Sequence, residues 1–360
     1  MWIDARNDIS RREKGREDMT EEAENHAERP LDQDQLDQEQ TEQARDSGRA
    51  IASALLKHVA GIVESCGAAA LFLYVDAMSE EVSGLDLLVK AKIFCVTGAS
   101  PKEVGPQLGA VQCLRVPNVP LTRMGLVKIA VFLALSKGLI KHGDRVVFLS
   151  GLAAAKTLDT IIVTEVGREY EIFALGADLT AASPDILPQV IERVVDIASE
   201  LGSEGREGRS VGAMFVIGDT ERVLPLTRQL VLNPFKGYPP DERNMLDYSL
   251  EETVKELATL DGAFIVRGDG VMETCGTYIR TTSQPEFELP RGLGARHHAA
   301  AAITAVTDSI AVTVSESTGS VTIFRHGRIV TEIQKPRSTG ELPKLLRSHP
   351  HHSRKRNSST

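Results

Sequence analysis

Two short motifs in the last third of the chain combine residue types that bind phosphate and divalent cations. In the first, Asp261-Gly262-Ala263, a carboxylate is followed by two residues with almost no side chain. Such a carboxylate can face a ligand while the neighbouring backbone approaches it closely, and carboxylate oxygens suit hard cations such as Mg²⁺. Taken alone, Asp-Gly is far more often an ordinary turn.

The second motif is Gly294-Ala295-Arg296-His297-His298, which leads into the alanine-rich run 299–307. The alanines predict a helix, and glycines precede its first turn. Backbone N–H groups at a helix N-terminus, with an arginine and histidines beside them, form an anion site. This motif predicts a phosphate-binding helix start.

A third element is Ser315-Glu316, which follows the alternating run 309–314 and precedes the turn residues 317–319. A hydroxyl and a carboxylate at the end of a strand can hold a phosphate and a metal ion. Ordinary turn chemistry explains this pair equally well when it is considered by itself.

The second half of the chain predicts the elements that position these motifs. Apolar or alternating runs predict strands at 213–219, 263–267, 271–279, 309–314 and 320–324. Helices are predicted over 221–232 and 249–260, the latter with Ser249 as N-cap and Glu252 three residues later, as in a capping box.

The stretch 49–187 alternates helix and strand patterns, which predicts a mostly parallel α/β sheet. Apolar runs predict strands at 68–75, 92–97, 111–116, 144–151 and 159–165, and helices are predicted over 54–63 and 123–138.

Chain length and the distribution of charge predict the domain organisation. A chain of 360 residues exceeds one typical core. We predict an acidic disordered segment over 1–48, an α/β domain over 49–195, a linker over 196–210, a second α/β domain with a mixed sheet over 211–334 and a basic disordered tail over 335–360. Of the net charge of -9, the first segment contributes -8, from 7 basic and 15 acidic residues.

Several classes of protein are disfavoured by the composition. No signal peptide or membrane-spanning run is apparent, and the four cysteines lack metal-like spacing, so we expect a cytoplasmic protein without a membrane partner. Nucleic-acid binding has no strong signal apart from the basic tail, which more often is simply solvated.

The three motifs, in this order and spacing, resemble the diadenylate cyclase domain. The resemblance covers about 211–330. With the run Arg228–Phe235 and the preceding α/β domain, the layout looks like the archaeal-type members of that family. The long helix leading into strand Gly143–Gly151 and the loop Leu152–Thr157 resemble the C-terminal domain of pyruvate kinase. A sensor of a phosphate compound and a structural platform both remain open for that domain.

The resemblance implies a reaction and site residues. Such enzymes condense two ATP into cyclic di-AMP and release two pyrophosphates, with Mn²⁺, Mg²⁺ or Co²⁺ as cofactor. Of these metals, we expect Mn²⁺ to be the one used here. Two cyclase domains meet face to face in a dimer or higher homo-oligomer. The catalytic residues would be Asp261, Arg296 and His297, and the metal ligands Asp261 and Glu316. The nucleotide-binding set would be Gly262, Ala263, Tyr278, Ile279, Gly294, Ala295, Arg296, His297, His298, Ser315 and Glu316, with Tyr278 and Ile279 beside the adenine.

Some positions depart from the pattern of many bacterial members. Those members have a threonine where Ala295 stands and a second arginine where His298 stands, and some have another hydroxyl where Ala299 stands. Two hydroxyls and one permanent charge are therefore missing here. The archaeal-type members tend to share this form. The competing hypothesis is a catalytically silent regulator that binds ATP or cyclic di-AMP.

Overall fold

The computed structural model describes residues 33–78, 91–99, 111–168, 185–280, 289–290 and 292–336. The predicted acidic segment before residue 33 and the predicted tail after residue 336 lie outside this part of the chain. Helices and strands are numbered below in chain order through the described residues. Residues from Arg49 onward form one compact unit that contains both of the sheets described below.

The first sheet has five strands in the order β3-β2-β1-β4-β5. Its strands are β1 Ala70–Tyr74, β2 Lys92–Thr97, β3 Gln112–Arg115, β4 Arg145–Leu152 and β5 Thr157–Glu165. The first four are parallel, as predicted, and β5 is antiparallel to β4. The connection between β4 and β5 is too short for the crossover that a parallel pair needs, so the chain turns back as a hairpin.

Two helices accompany this sheet, α1 (Gln33–Cys66) and α2 (Arg123–Ser136). Helix α1 begins well before the predicted helix 54–63 and packs Val59 and Val63 against Leu71. The N-cap of α2 is Thr122, whose hydroxyl accepts the N–H of Gly125 at 2.9 Å.

The second sheet has seven strands in the order β12-β11-β10-β6-β8-β9-β7. Its strands are β6 Ala213–Ile217, β7 Thr227–Gln229, β8 Ala263–Val266, β9 Met272–Ile279, β10 Ile310–Val314, β11 Val321–Arg325 and β12 Arg328–Ile333. Strands β6 and β8 are parallel and the other pairs antiparallel, which confirms the predicted mixed α/β sheet.

Four further helices are α3 Pro188–Glu204, α4 Thr220–Val223, α5 Glu251–Leu257 and α6 Ala295–Val306. Helices α3 and α6 cover opposite faces of the second sheet. Phe215 of β6 packs in a core with α3 residues, whereas Val216 packs in a second core with α6 residues. Every residue of β6 is therefore buried. The first of these cores also includes side chains from the first sheet and from α2, such as Phe72 and Phe132.

The predicted helix 221–232 is wrong beyond its first turn. Helix α4 ends at Val223, and a 3-10 turn, Leu224–Leu226, follows with Pro225 in its first positions. Proline has no N–H to continue the helix. The next residues instead pair with β9 as strand β7, so pairing at the sheet edge outweighs the helical pattern of leucine and valine.

The predicted capping box at Ser249 is also wrong. A 3-10 turn, Tyr248–Leu250, precedes α5, and its N-cap is Asp247, which accepts the N–H of Ser249 at 2.9 Å. The predicted linker 196–210 contains the second half of α3, whose residues here are largely buried, and then a short bridge between Arg206 and Arg209. The domain boundaries themselves stay a prediction. Among the described residues, no helix is both long and apolar enough to cross a membrane.

Candidate nucleotide site

Three chain segments carrying the predicted motifs meet at one end of the second sheet, together with a fourth segment at Gly212. The Asp261-Gly262 pair comes directly before β8, and Gly212 comes directly before the parallel strand β6. Strand β10 runs antiparallel to β6 and pairs Val314 with Ala213, so Ser315-Glu316 leaves the sheet at the same end. Arg296 reaches both carboxylates from the first turn of α6. The structure thus brings together motifs that are far apart in the sequence.

Arg296 connects the two carboxylates of the site. Its Nη2 lies 3.4 Å from Oδ1 of Asp261, and its Nη1 lies 3.6 Å from Oε2 of Glu316. The Nε atom is buried and has no hydrogen-bond partner. The two carboxylates are 87% and 65% exposed, in that order, against 30% for the arginine. The guanidinium therefore holds both carboxylates at the surface, where an incoming ligand can replace one of its contacts.

Gly212 leaves the space that the Arg296 guanidinium fills. A Cβ atom at position 212 would lie 2.7 Å from Nη1 of Arg296 and 3.1 Å from the Cβ of Glu316. Any side chain here would displace the arginine from between its carboxylates. Sequence reasoning missed this residue, and its one signal is a glycine directly before a buried strand.

Gly262 fixes the direction in which Asp261 leaves the sheet. Its φ angle is +109°, and a Cβ would lie 2.5 Å from the backbone N of Thr277 and 2.7 Å from the carbonyl carbon of Gly276. Only glycine adopts this conformation without strain and fits against the β9 backbone. The second residue of the predicted motif is thus required by close packing.

The predicted helix start of the second motif is confirmed. Helix α6 begins at Ala295 with Gly294 as N-cap, and the Gly294 carbonyl accepts the N–H groups of His297 at 3.0 Å and His298 at 3.3 Å. The amides of Ala295 and Arg296 precede these first intrahelical bonds and form the positive end of the helix. That they bind phosphate stays a prediction.

The two histidines of the motif lie in different surroundings. His297 is buried, with Nε2 3.5 Å from Oγ1 of Thr322 and its ring edge-on to Phe324. Burial lowers the pKa of His297, although the charge of Glu332 opposes this, so the ring is neutral at pH 7. His298 is exposed on the same turn. The predicted contact of His297 with the triphosphate stays a prediction, and in this structure its ring links α6 to β11.

Ser315 begins a tight turn. Its backbone N–H donates to the Ser320 carbonyl at 2.9 Å, and its carbonyl accepts the N–H of Gly319 at 2.8 Å. Its Oγ accepts the N–H of Thr318 at 3.3 Å. A polar cleft of about 600 Å³ adjoins this turn, and of the predicted site residues it contacts Ser315 and Glu316. A phosphate-bearing ligand could reach Ser315 from this cleft.

Tyr278 and Ile279 do not share a surface. Consecutive residues of a strand point to opposite faces of the sheet. The Tyr278 side chain is 53% exposed, and the guanidinium carbon of Arg228 lies 5.8 Å from its ring centroid. Ile279 is 6% exposed and packs in the core beneath α6. Of the two side chains, that of Tyr278 is the more open to a ligand; a position of either residue beside the adenine stays a prediction.

The acidic residues suit a metal ion only in part. Asp261 and Glu316 provide hard oxygen ligands, which Mg²⁺ and Mn²⁺ prefer. The part of the chain that the structure describes has no group of three or more His, Cys, Asp or Glu residues placed to hold a metal ion. A metal bound here would take its remaining ligands from water and substrate phosphates, as Mg²⁺ commonly does. The residues fit a metal that arrives with a nucleotide.

Comparisons with known proteins assign this domain to a class. Residues 200–329 match the family described as DisA bacterial checkpoint controller nucleotide-binding. This range includes all three motifs of the site. The chain therefore carries a nucleotide-binding α/β domain of that class.

Two curated relatives narrow the assignment. A diadenylate cyclase of Methanocaldococcus jannaschii is 37% identical over 202 residues, which is 55% of this chain and 63% of that protein. A diadenylate cyclase of Haloferax volcanii is 37% identical over 146 residues, which is 41% of this chain and 53% of that protein. The part of the chain that holds the three motifs is therefore similar in sequence to diadenylate cyclases. The chain spans between half and two thirds of the length of these relatives.

A comparison with a solved structure is weaker. A pyruvate kinase of Cryptosporidium parvum is 14% identical and has a TM-score of 0.27, covering 32% of this chain and 22% of that one. A TM-score this low does not show a shared fold. The resemblance to the C-terminal domain of pyruvate kinase stays a prediction.

Proposed function

We propose that this protein is a diadenylate cyclase that condenses two ATP molecules into cyclic di-AMP and two pyrophosphates. The observation that carries the proposal is the Arg296 guanidinium held between Asp261 and Glu316 at the start of α6. In each half-reaction the 3′-oxygen of one nucleotide bonds to the α-phosphorus of the other. The bond from that phosphorus to the pyrophosphate oxygen breaks, and the 3′-hydroxyl proton is lost.

Each residue has a role that its surroundings permit. Asp261 is exposed and lies beside Arg296, so its carboxylate can reach a nucleotide and accept the 3′-hydroxyl proton. Arg296 and the amides at the start of α6 bind the triphosphate and offset the charge that builds up on its oxygens. The Ser315 hydroxyl donates a hydrogen bond to a terminal phosphate oxygen. Glu316 orients the Arg296 guanidinium. His297 acts as a neutral group, since burial lowers its pKa.

The charge balance supports a divalent cation in the reaction. Two carboxylates flank one arginine, so these three side chains carry a net negative charge that disfavours ATP. We propose Mn²⁺ as the ion, or Mg²⁺ or Co²⁺, held by Asp261 and Glu316 together with nucleotide phosphates. When bound, the ion offsets phosphate charge and lowers the pKa of a bound hydroxyl.

The reaction requires two nucleotides, and one site binds one of them, so two copies of the domain must meet. Beside Asp261 lies an apolar run, Leu230–Leu232, in which Leu232 is 95% exposed. The Leu230 N–H donates to the Gly276 carbonyl at 2.9 Å, and a Cβ at Gly276 would lie 3.7 Å from the Asp261 carbonyl oxygen. We propose that a second copy covers this run, in a cytoplasmic homodimer or larger oligomer.

Replacing Leu232 with aspartate is expected to weaken self-association. Burial of one leucine contributes about 2 kcal/mol, so its loss from both copies of a symmetric dimer raises the dissociation constant by roughly 10³-fold. Specific activity should fall more steeply on dilution than for the wild type, with sedimentation velocity reporting the oligomer. Leu152→Asp, at an exposed leucine that ends β4 in the first sheet, is the control and leaves self-association unchanged. Wild-type dilution behaviour in Leu232→Asp would contradict this placement of the interface.

The activity itself is tested by incubating the purified protein with ATP and Mn²⁺, Mg²⁺ or Co²⁺ and detecting products by mass spectrometry. We expect one cyclic di-AMP and two pyrophosphates for every two ATP consumed. Absence of product with every metal, at concentrations where the protein is oligomeric, would overturn the proposal. Retained ATP or cyclic di-AMP binding in that case would establish the silent regulator instead.

A further inference from the structure

A cluster of charged and aromatic side chains joins the first sheet to the segment that precedes Asp261. Arg115 is the last residue of β3, and its Nη1 donates to the hydroxyl of Tyr248 at 3.2 Å. Its Nη2 lies 3.8 Å from Oδ2 of Asp196 on α3. Arg115 lies outside the range 200–329 that matches the cyclase family, so the family's own site does not account for it.

Arg193 continues the cluster from α3. Its side chain is 3% exposed, and its guanidinium carbon lies 4.1 Å from the ring centroid of Tyr248. Its Nε donates to the Met245 carbonyl at 3.2 Å, and its Nη1 donates to Oε2 of Glu251 at 2.8 Å. The Arg193 side chain is buried although the Tyr248 residue is 59% exposed, and burial of the cation strengthens its contacts with the ring and with Glu251. Tyr248 is thus fixed between two arginines from different parts of the fold.

The chain from Tyr248 to the site is continuously hydrogen-bonded. The 3-10 turn Tyr248–Leu250 passes directly into α5, and turn bonds continue to Leu260, whose N–H donates to the Leu257 carbonyl at 3.2 Å. Asp261 is the next residue. A displacement of Tyr248 is therefore transmitted along α5 to the carboxylate that the proposed reaction needs.

We propose that Arg115 is a positioning residue for Asp261, acting through Tyr248 and Arg193 at the start of α5. The inference rests on the proposed function where it is tested by cyclase activity. Its second test, hydrogen exchange, does not require any activity. Arg115 contacts neither the predicted nucleotide-binding residues nor Asp261. It therefore affects the rate at which bound ATP reacts rather than the affinity for ATP. The first sheet thereby contributes to a reaction carried out by the second.

Asp196 makes this connection dependent on pH. Burial raises its pKa to about 7, with Arg115 and Arg193 lowering it and Glu192 and Glu200 raising it. Below pH 7 the carboxyl is neutral and attracts Arg115 weakly. As the pH rises through 7 the carboxylate ionises, and its attraction holds Arg115 more firmly against Tyr248.

The test compares Arg115→Ala with Arg145→Ala in the full chain. Arg145, the first residue of β4, lies at the other end of the same sheet and contacts Cys66 and Glu165 instead of Tyr248. For Arg115→Ala we expect kcat to fall roughly tenfold with KM for ATP within about twofold, because a misplaced group lowers the rate without touching the substrate. The gap from wild type should widen between pH 6 and pH 8, and Arg145→Ala should show neither effect.

Hydrogen exchange of the amides at 248–261 provides a readout that needs no catalysis. We expect these amides to exchange faster in Arg115→Ala than in the wild type or in Arg145→Ala. A wild type without cyclase activity would overturn the proposed function, while faster exchange at 248–261 would still support the positioning role. The positioning role would be overturned if Arg115→Ala had the same kcat as the wild type, or if exchange at 248–261 were unchanged in that variant. Equal effects of the two substitutions would also do so.

Discussion

Replacing Asp261 with asparagine is expected to lower cyclic di-AMP formation by about 10³-fold or more, the loss expected when one group serves as both proton acceptor and metal ligand. Asparagine preserves the shape of the side chain and can still accept a hydrogen bond from Arg296. It carries no charge and cannot accept the 3′-hydroxyl proton. Mass spectrometry measures the product, and calorimetry measures Mn²⁺ binding in the presence of a nonhydrolysable ATP analogue.

The matched control for Asp261→Asn is Asp269→Asn. Asp269 lies in the turn after β8, at the opposite end of that strand, where Oδ1 accepts the N–H of Val271 at 3.2 Å and the carboxylate pairs with Arg267. We expect this variant to keep the wild-type rate and Mn²⁺ affinity. A normal rate in Asp261→Asn would exclude the carboxylate as proton acceptor. A similar loss in both variants would point to a general effect on the domain.

Much of the fold follows from runs of apolar residues. The sequence predicted both sheets, with mostly parallel strands in the first and mixed strand directions in the second. Strands that are buried on both faces leave strong apolar signals in the sequence. The predictions that were wrong depend on non-local pairing. The leucine and valine spacing after α4 is helical, yet Thr227–Gln229 pairs with β9, a contact that local propensity cannot reveal.

The site itself was predicted in part. The sequence indicated Asp261, Arg296 and Glu316 as separate motifs, and the structure places the guanidinium between the two carboxylates. It could not indicate Gly212, because that requirement comes from a close approach between segments distant in sequence. Strand alternation, which the sequence alone predicts, places Tyr278 and Ile279 on opposite faces of the sheet. Their position beside the adenine stays a prediction.

Replacing Arg296 with lysine is expected to lower kcat/KM by roughly 10²–10³-fold, the cost of removing a hydrogen-bond donor aimed at developing charge. Lysine keeps the positive charge but loses the planar fork with which arginine contacts two carboxylates at once. Its ammonium can remain near Asp261 or near Glu316, so the space above Gly212 empties on one side. Steady-state kinetics should show both a higher KM and a lower kcat, since the same donors bind the triphosphate before and during the reaction.

A substitution at a second arginine of the same domain is the control that distinguishes a catalytic effect of Arg296→Lys from the mere loss of an ion pair. Arg222 also lies between two carboxylates, with Nη1 at 3.4 Å from Oδ2 of Asp219 and 3.1 Å from Oδ2 of Asp308, at the opposite end of β6. Arg222→Lys should stay within about twofold of wild type, because exposed pairs contribute little. If Glu316 orients Arg296, then Glu316→Gln should cost less in Arg296→Lys than in the wild type, since the two residues act as a unit. Additive losses would show that Glu316 acts independently of Arg296, whereas a rate near wild type in Arg296→Lys would remove the guanidinium from the mechanism.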